Sequence, residues 1–201
     1  MKNIAIFASG RGSNFSAIAA AVQKGSLKAR LALVVCDNPR AGVIAKAARC
    51  GVTCCLVCRG DFPSKAVFED AIISRLKQEK VELIVLAGFM RILGPRLLAA
   101  YRNRIINIHP ALLPAFKGAQ AIKDAFNYGA KTTGVTVHFV DEKTDHGPII
   151  LQEPVAVRKN ETMASLEARI HATEHRVYPK AIRLFLEGRL RIRGRKVLGT
   201  T

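Results

Sequence analysis

The chain has no tryptophan and only three tyrosines, and its 15 acidic residues are outnumbered by 32 lysines and arginines. With so few rings to stack on bases and no RNA-binding aromatic motif, the formal charge of +17 points to small anionic substrates. Contact with nucleic acid is expected only as nonspecific attraction at low salt. The basic residues are spread along the chain, and the densest run, Arg189 to Lys196, alternates as an edge strand with one solvated face would. No long apolar run is present, so a membrane-spanning helix is excluded. The start, Met1 to Ala8, has an apolar stretch too short for a secretory signal and reads as a buried first strand of a cytoplasmic protein. Neither G-x-G-x-x-G nor Walker A occurs, and there is no internal repeat, low-complexity linker or domain boundary. With 201 residues, 49% of them hydrophobic, a single domain over residues 1–201 with a full core is expected.

Two metal-like patterns need weighing. Five cysteines are an odd number, and Cys50, Cys54, Cys55 and Cys58 crowd into nine residues. Cys55 and Cys58 form a Cys-x-x-Cys, but no second pair follows, and neighbours along a strand point to opposite faces. The expected reading is reduced thiols packed as small apolar groups. The second pattern, His171-Ala172-Thr173-Glu174-His175, fits H-x-x-E-H on a helix, yet Glu187 is the only acidic residue after Glu174 to supply a third ligand. A helix face lining a cleft or packing on a sheet is expected there, with no metal.

Apolar runs alternate with helical patterns. Ile4 to Ala8, Leu31 to Cys36, Val52 to Cys58, Leu83 to Ala87 and Ile105 to Ile108 suit strands of a covered parallel sheet. Between them, Pro63 to Lys80 repeats Phe68, Ile72 and Leu76 every four residues, a helix behind a Pro near its first turn. Beyond residue 109 the spacing predicts a helix over Gln120 to Tyr128 ending at Gly129, an antiparallel strand pair over Thr133 to Val140 and Pro148 to Val157, and a long helix over Glu161 to Leu186 that Pro179 kinks or breaks. The fold class is therefore α/β, Rossmann-like, with a mostly parallel, mixed sheet flanked by helices and ligands beyond the carboxyl ends of the strands.

Two places carry chemistry. Ser9-Gly10-Arg11-Gly12-Ser13-Asn14 precedes a helix from about Phe15; backbone amides at such a helix start can hold a phosphate, or the segment is a plain turn capped by Ser13 or Asn14. The other is Asn107-Ile108-His109-Pro110, where strand alternation puts Asn107 and His109 on one face before a proline-bracketed loop, with Asp145 further on. An amide, an imidazole and a carboxylate together polarise a carbonyl, shuttle a proton and hold the shuttle's charge, a set suited to acyl transfer. Each residue also has a duller reading: a turn cap for Asn107, a satisfied core histidine for His109, a turn stabiliser before Gly147 for Asp145.

These motifs, with Leu86 to Leu93, Val137-His138-Phe139-Val140, Asp145-His146-Gly147-Pro148 and Glu174 to Pro179, come in one order over nearly the whole chain. They resemble the phosphoribosylglycinamide formyltransferase family, folate-dependent enzymes of purine synthesis. The resemblance implies transfer of a formyl group from 10-formyltetrahydrofolate, the co-substrate, to the amine of phosphoribosylglycinamide, with Asn107, His109 and Asp145 catalytic and no metal. It places the substrate phosphate on Gly12, Ser13 and Asn14, and the ribose or glycinamide end on His171, Ala172, Thr173 and Glu174. It places the folate on Met90, Arg91, Ile92 and Leu93, on Asn107, on the loop Asp141, Glu142, Lys143 and Thr144, and on Lys65, which stands where relatives often carry Arg. Gln120 departs from a His that many members carry, so a titrating role there is in doubt.

The rivals are a formyltetrahydrofolate hydrolase, whose extra N-terminal domain this length leaves no room for, and a basic nucleic-acid-binding module without catalysis. Methionyl-tRNA formyltransferase would need a further C-terminal domain. Small-molecule substrates, no specific nucleic acid, no membrane and a monomer or homodimer complete the expectation. Turnover should survive dialysis against a chelator; activity lost on chelation and restored by zinc would revive the H-x-x-E-H pattern.

Overall fold

Aliphatic runs become strands, and amphipathic segments become helices, in a computed structural model that describes residues 1–200. The chain groups into two compact units, Met1–Ile106 and the residues from Asn107 onward, with the boundary inside one strand. In the first unit β1 (Lys2–Phe7), β2 (Ala29–Cys36), β3 (Cys54–Leu56) and β4 (Leu83–Leu86) are parallel in the order β3-β2-β1-β4. Parallel strands need crossovers, supplied by α1 (Ser13–Gln23), α2 (Gly42–Arg49) and α3 (Lys65–Gln78). Ile4, Ala5, Ile6 and Phe7 are all buried, as strands covered on both faces require.

Phe68, Ile72 and Leu76 of α3 are buried as their spacing predicted, but so is Glu69. Its carboxylate accepts from the Gly94 amide and from the Leu97 amide at 3.3 Å, the orphan donors at the start of α4 (Pro95–Ala100). A helix start with no capping side chain of its own is thereby satisfied from a neighbouring helix. Among the boundaries that differ from expectation, two bear on the site-carrying ends of the strands. The strand expected over Val52 to Cys58 contracts to three residues because β2 ends at Cys36 and leaves no ladder beyond; Val57 still donates to the Cys36 carbonyl at 2.8 Å. The first helix begins at Ser13 because Gly12, at φ 70, occupies the N-cap position.

The second unit begins within β5 (Ile105–His109) and continues through α5 (Ala121–Tyr128), β6 (Thr132–Phe139), β7 (Ile149–Ala156), α6 (Met163–Leu186), β8 (Arg191–Arg193) and β9 (Lys196–Leu198). α5 ends at left-handed Gly129 as predicted, and β6 and β7 are antiparallel; β9 runs parallel to β7 and antiparallel to β8. Parallel strands in the first unit and a mixed set in the second, with flanking helices, give the expected α/β class.

Pro179 neither ends α6 nor divides it, since burial of Tyr178, Ala181 and Ile182 holds the turns on either side. The run Arg189 to Lys196 is not one edge strand; Gly194, at φ 58, turns it into the β8–β9 hairpin. Among the described residues no helix is long and apolar enough to cross a membrane.

Replacing Glu69 with Ala is expected to lower stability by about 1–3 kcal/mol, the typical cost of stranding buried donors, while Glu69→Gln, which keeps an acceptor, should lose less. Urea unfolding of the two variants measures the difference.

Candidate active site

β5 carries Asn107 and His109 two residues apart, with Ile108 buried between them. In the second unit their side chains meet one group from β6 and one from the turn after it. The Asn107 Nδ2 lies 3.2 Å from His138 Nε2, His109 Nδ1 lies 3.4 Å from an Asp145 carboxylate oxygen, and His138 Nε2 lies 3.8 Å from the other. His109 and His138 are 4% and 2% exposed, so these groups interact with little water to screen them.

Hydrogen-bond partners fix the tautomer of His138. Its Nδ1 is 2.7 Å from the Phe139 carbonyl, which can only accept, so Nδ1 carries the hydrogen and Nε2 accepts from the Asn107 amide. Burial pushes the His138 pKa down, the Phe139 carbonyl and the Asp145 charge opposing it, which favours this neutral form. An amide nitrogen has two hydrogens, so Asn107 retains one for a ligand oxygen. His109 faces acceptors at both ring nitrogens: Nε2 is 2.7 Å from the Phe116 carbonyl and Nδ1 faces the carboxylate.

The loop after His109 is held from two sides. Thr136 Oγ1, two residues from His138 on β6, donates to the Ala111 carbonyl at 2.7 Å and accepts from the Leu113 amide at 3.1 Å; Gln152 Nε2 donates to the Leu113 carbonyl at 2.9 Å. Asp145 Oδ2 accepts from the Gly118 amide at 2.9 Å. Asp145 itself is left-handed, at φ 48, and Gly147 is obligatory because a Cβ there would come within 1.8 Å of the Phe139 carbonyl. Asp141 to Thr144 lie in the same turn, Asp141 accepting from the Lys143 amide at 3.0 Å, while Glu142, Lys143 and Thr144 are exposed. Gln120 is exposed ahead of α5.

On α6 the four predicted residues do not act as one surface. His171 sits 3.0 Å from Glu174 and 3.3 Å from Glu167, and the Glu174 hydrogen bond raises its pKa. Thr173 turns its hydroxyl back to the Arg169 carbonyl at 3.0 Å, and Ala172 is exposed. Among the described residues no group of three or more His, Cys, Asp or Glu is placed to hold a metal. The five thiols are free, and burial pushes the Cys54 pKa up to about 11, away from the thiolate that metal or redox chemistry needs.

The first unit holds the other predicted residues. Ser13 and Asn14 open α1 behind Gly12, where a Cβ would come within 2.8 Å of Val43. No side chain caps this helix start, and Lys46 Nζ donates to the Gly12 carbonyl at 3.4 Å, a cation the sequence reading missed. Met90 and Ile92 are 69% and 70% exposed, leaving two large apolar side chains in solvent on one segment. The segment is tied down through Asp37, a residue also missed: Ser9 Oγ donates to Asp37 and accepts from the Met90 amide at 2.9 Å, and Arg91 Nε pairs with Asp37 at 2.6 Å. Lys65, the first residue of α3, is exposed, and its stem lies against Gly94. Asp37 was legible only as a single polar residue after an apolar strand, and His138 only as a member of the Val137 to Val140 motif with no role attached.

A sequence model described as formyl transferase matches residues 2–182. Phosphoribosylglycinamide formyltransferase of Bacillus subtilis is 47% identical over 186 residues, which are 92% of this chain and 95% of the relative. The crystal structure of glycinamide ribonucleotide transformylase 1 from Symbiobacterium toebii superposes with a TM-score of 0.96 at 44% identity, covering 98% of this chain and 93% of that one. A formyltetrahydrofolate deformylase from Pseudomonas syringae pv. tomato is more distant: 25% identity, a TM-score of 0.91, and 98% of this chain matched to 65% of a longer one. The chain belongs to the formyl transferase family.

Proposed function

We propose that the protein transfers the formyl group of 10-formyltetrahydrofolate to the primary amine of 5'-phosphoribosylglycinamide, using Asn107, His109 and Asp145. The observation that carries the reading is the convergence of these three side chains, with His138, in a water-poor cluster of the second unit. The family match across both units, residues 2–182, supports treating the chain as one formyltransferase domain.

In the reaction the amine nitrogen attacks the formyl carbon, and the formyl oxygen becomes an oxyanion. The free Asn107 N–H and the Nε2–H of protonated His109, exchanging the Phe116 carbonyl for the substrate oxygen, stabilise that charge. Asp145 faces His109 Nδ1 and balances the imidazolium. The attacking nitrogen then loses a proton, the folate N10 gains one with His109 as relay, and the bond from the formyl carbon to N10 breaks. No covalent intermediate is needed.

Gly12, Ser13 and Asn14 offer backbone amides at the start of α1 for the phosphate, beside Lys46. His171 and Glu174 are assigned to the ribose or glycinamide end, whereas Ala172 and Thr173 contribute backbone only. Met90, Ile92 and Leu93 offer apolar area to the folate, with Arg91 and Lys65 as cations toward its carboxylates and the turn Asp141 to Thr144 beside the catalytic Asp145. We place the reaction in the cytoplasm, on small molecules alone, with the enzyme a monomer or homodimer.

The first experiment mixes the protein with a 10-formyl folate and follows deformylation with and without phosphoribosylglycinamide. Amine-dependent release supports transfer; equal release without the amine identifies a hydrolase; no release by folded protein sinks the reading. His109→Ala should lower kcat by about 10² to 10⁴, the usual worth of a positioned acid. Asn107→Ala should lower it by about 10² to 10³. Asp145→Asn should also lose most turnover, and all three should keep wild-type circular dichroism. His138 titration gives a further check. Its folded pKa lies below the unfolded 6.5, so the unfolded chain takes up the proton first as pH falls. Its contribution is complete above pH 6.5 and is lost as pH falls toward the folded value; His138→Gln should flatten that part of a stability-against-pH curve.

A further inference from the structure

The hairpin that follows α6 has no part in the reaction as described, yet it touches the turn that carries Asp145. We propose that Arg195 is a positioning residue: through His146 and Asp141 it holds the turn 141–147 in the shape that aims the Asp145 carboxylate at His109. This rests on the formyl-transfer reading of the same site.

Pairing of Lys196 with Ile149 fixes the hairpin beside the strand that leaves the turn, and Arg195 is the residue before that anchor. Its guanidinium makes two kinds of contact. One nitrogen donates to the His146 carbonyl at 2.7 Å, and the other lies against the imidazole, 3.0 Å from Nε2 and 3.3 Å from Nδ1. His146 Nδ1 is also 2.7 Å from an Asp141 carboxylate oxygen, and the other oxygen of that group accepts from the Lys143 amide at 3.0 Å. A carboxylate only accepts, so Nδ1 carries a hydrogen toward Asp141, and the guanidinium packs against the ring that Asp141 holds.

The turn needs such an outside hold. Asp145 sits between His146 and Thr144 in the left-handed region, at φ 48, which a residue with a Cβ does not favour. Gly147 presses against the Phe139 carbonyl too closely for any side chain. Asp145 is gripped by the Gly118 amide only through its side chain, so its backbone depends on its neighbours. His146 is the neighbour whose carbonyl and ring are both bound, and Arg195 binds both. Exposed ion pairs contribute little to stability, so the effect of Arg195 belongs in the geometry of the turn rather than in the melting temperature.

The test compares wild type with Arg195→Ala, Arg195→Lys, His146→Ala and the double variant. Arg195→Ala should lower kcat by about tenfold, in line with small misplacements of catalytic groups, and raise the KM for the formyl folate. The KM for phosphoribosylglycinamide and the melting temperature should stay within error. Arg195→Lys, which reaches the carbonyl but cannot span carbonyl and ring, should recover part of the loss. The double variant should be no worse than the single ones, since both break one chain of contacts.

Amide hydrogen exchange supplies a readout independent of activity: residues 141–147 should exchange faster in Arg195→Ala while β6 and β7 stay protected. Unchanged exchange together with kcat and folate KM within twofold of wild type overturns the proposal, as does a loss matched by a fall in the folded fraction. Wild-type protein that transfers no formyl group would instead overturn the functional reading, leaving the exchange result to decide whether Arg195 holds the turn.

Discussion

The carboxylate of Asp145 is the constraint on which the second unit's site depends. One oxygen is shared by the Gly118 amide and His109, and the other faces His138. A charge 9% exposed must be compensated, and the two groups that do so, the Gly118 amide and the His109 ring, come from the loop after β5 and from β5 itself. The same carboxylate therefore orients the proton-carrying imidazole and fixes the loop that follows it. Its other oxygen stands 3.8 Å from His138 Nε2, the atom that accepts from Asn107. Removing the carboxylate would leave His109 between a carbonyl and no counter-charge, which is why one residue in a turn governs a side chain on β5 and the loop after it.

The supporting structure is built to leave these groups no freedom. Thr136 and His138 share one face of β6, and each binds something other than its own strand: Thr136 the backbone of Ala111 and Leu113, His138 the Asn107 amide. Gln152 on β7 adds a second hold on Leu113. Strand pairing between β6 and β7 thus sets the path of a proline-rich loop that makes no regular structure. In the first unit the same logic recurs at the ends of β1 and β2, where Ser9 and Asp37 hold Met90 and Arg91 and leave the apolar tips of Met90 and Ile92 in solvent. Ligand-binding segments at the carboxyl ends of parallel strands are the expected consequence of βαβ winding.

Much of this was legible in residue order because period and punctuation are local. The apolar runs at Ile4 and Leu83, the four-residue spacing of Phe68, Ile72 and Leu76, and Gly129 after Tyr128 each specify an element without reference to the rest of the chain. Asn107 and His109 were legible together because strand alternation puts them on one face. What was not legible depends on partners distant in sequence. Glu69 looks like a surface acid on a helix until Gly94 and Leu97 claim it. Pro179 reads as a break until the buried Tyr178, Ala181 and Ile182 hold the helix through it. The run Arg189 to Lys196 alternates like a strand, and only the positive φ of Gly194 divides it. His138 and Asp37 are single polar residues whose meaning lies 31 and 28 residues away, at Asn107 and Ser9.

The chemistry of the catalytic set also limits what it can select. An amide donor and a protonated imidazole stabilise the oxyanion equally well whether the attacking atom is an amine nitrogen or a water oxygen, and a proton relay accepts from either. Discrimination between transfer and hydrolysis must come from groups that raise the local concentration of the amine and fix its approach. In the proposed assignment that work falls to the amides at the start of α1, Lys46, and the His171–Glu174 pair, whose hydrogen bond favours a charged imidazolium. The oxyanion machinery then sets the rate, and the substrate-holding residues decide which nucleophile the formyl group meets.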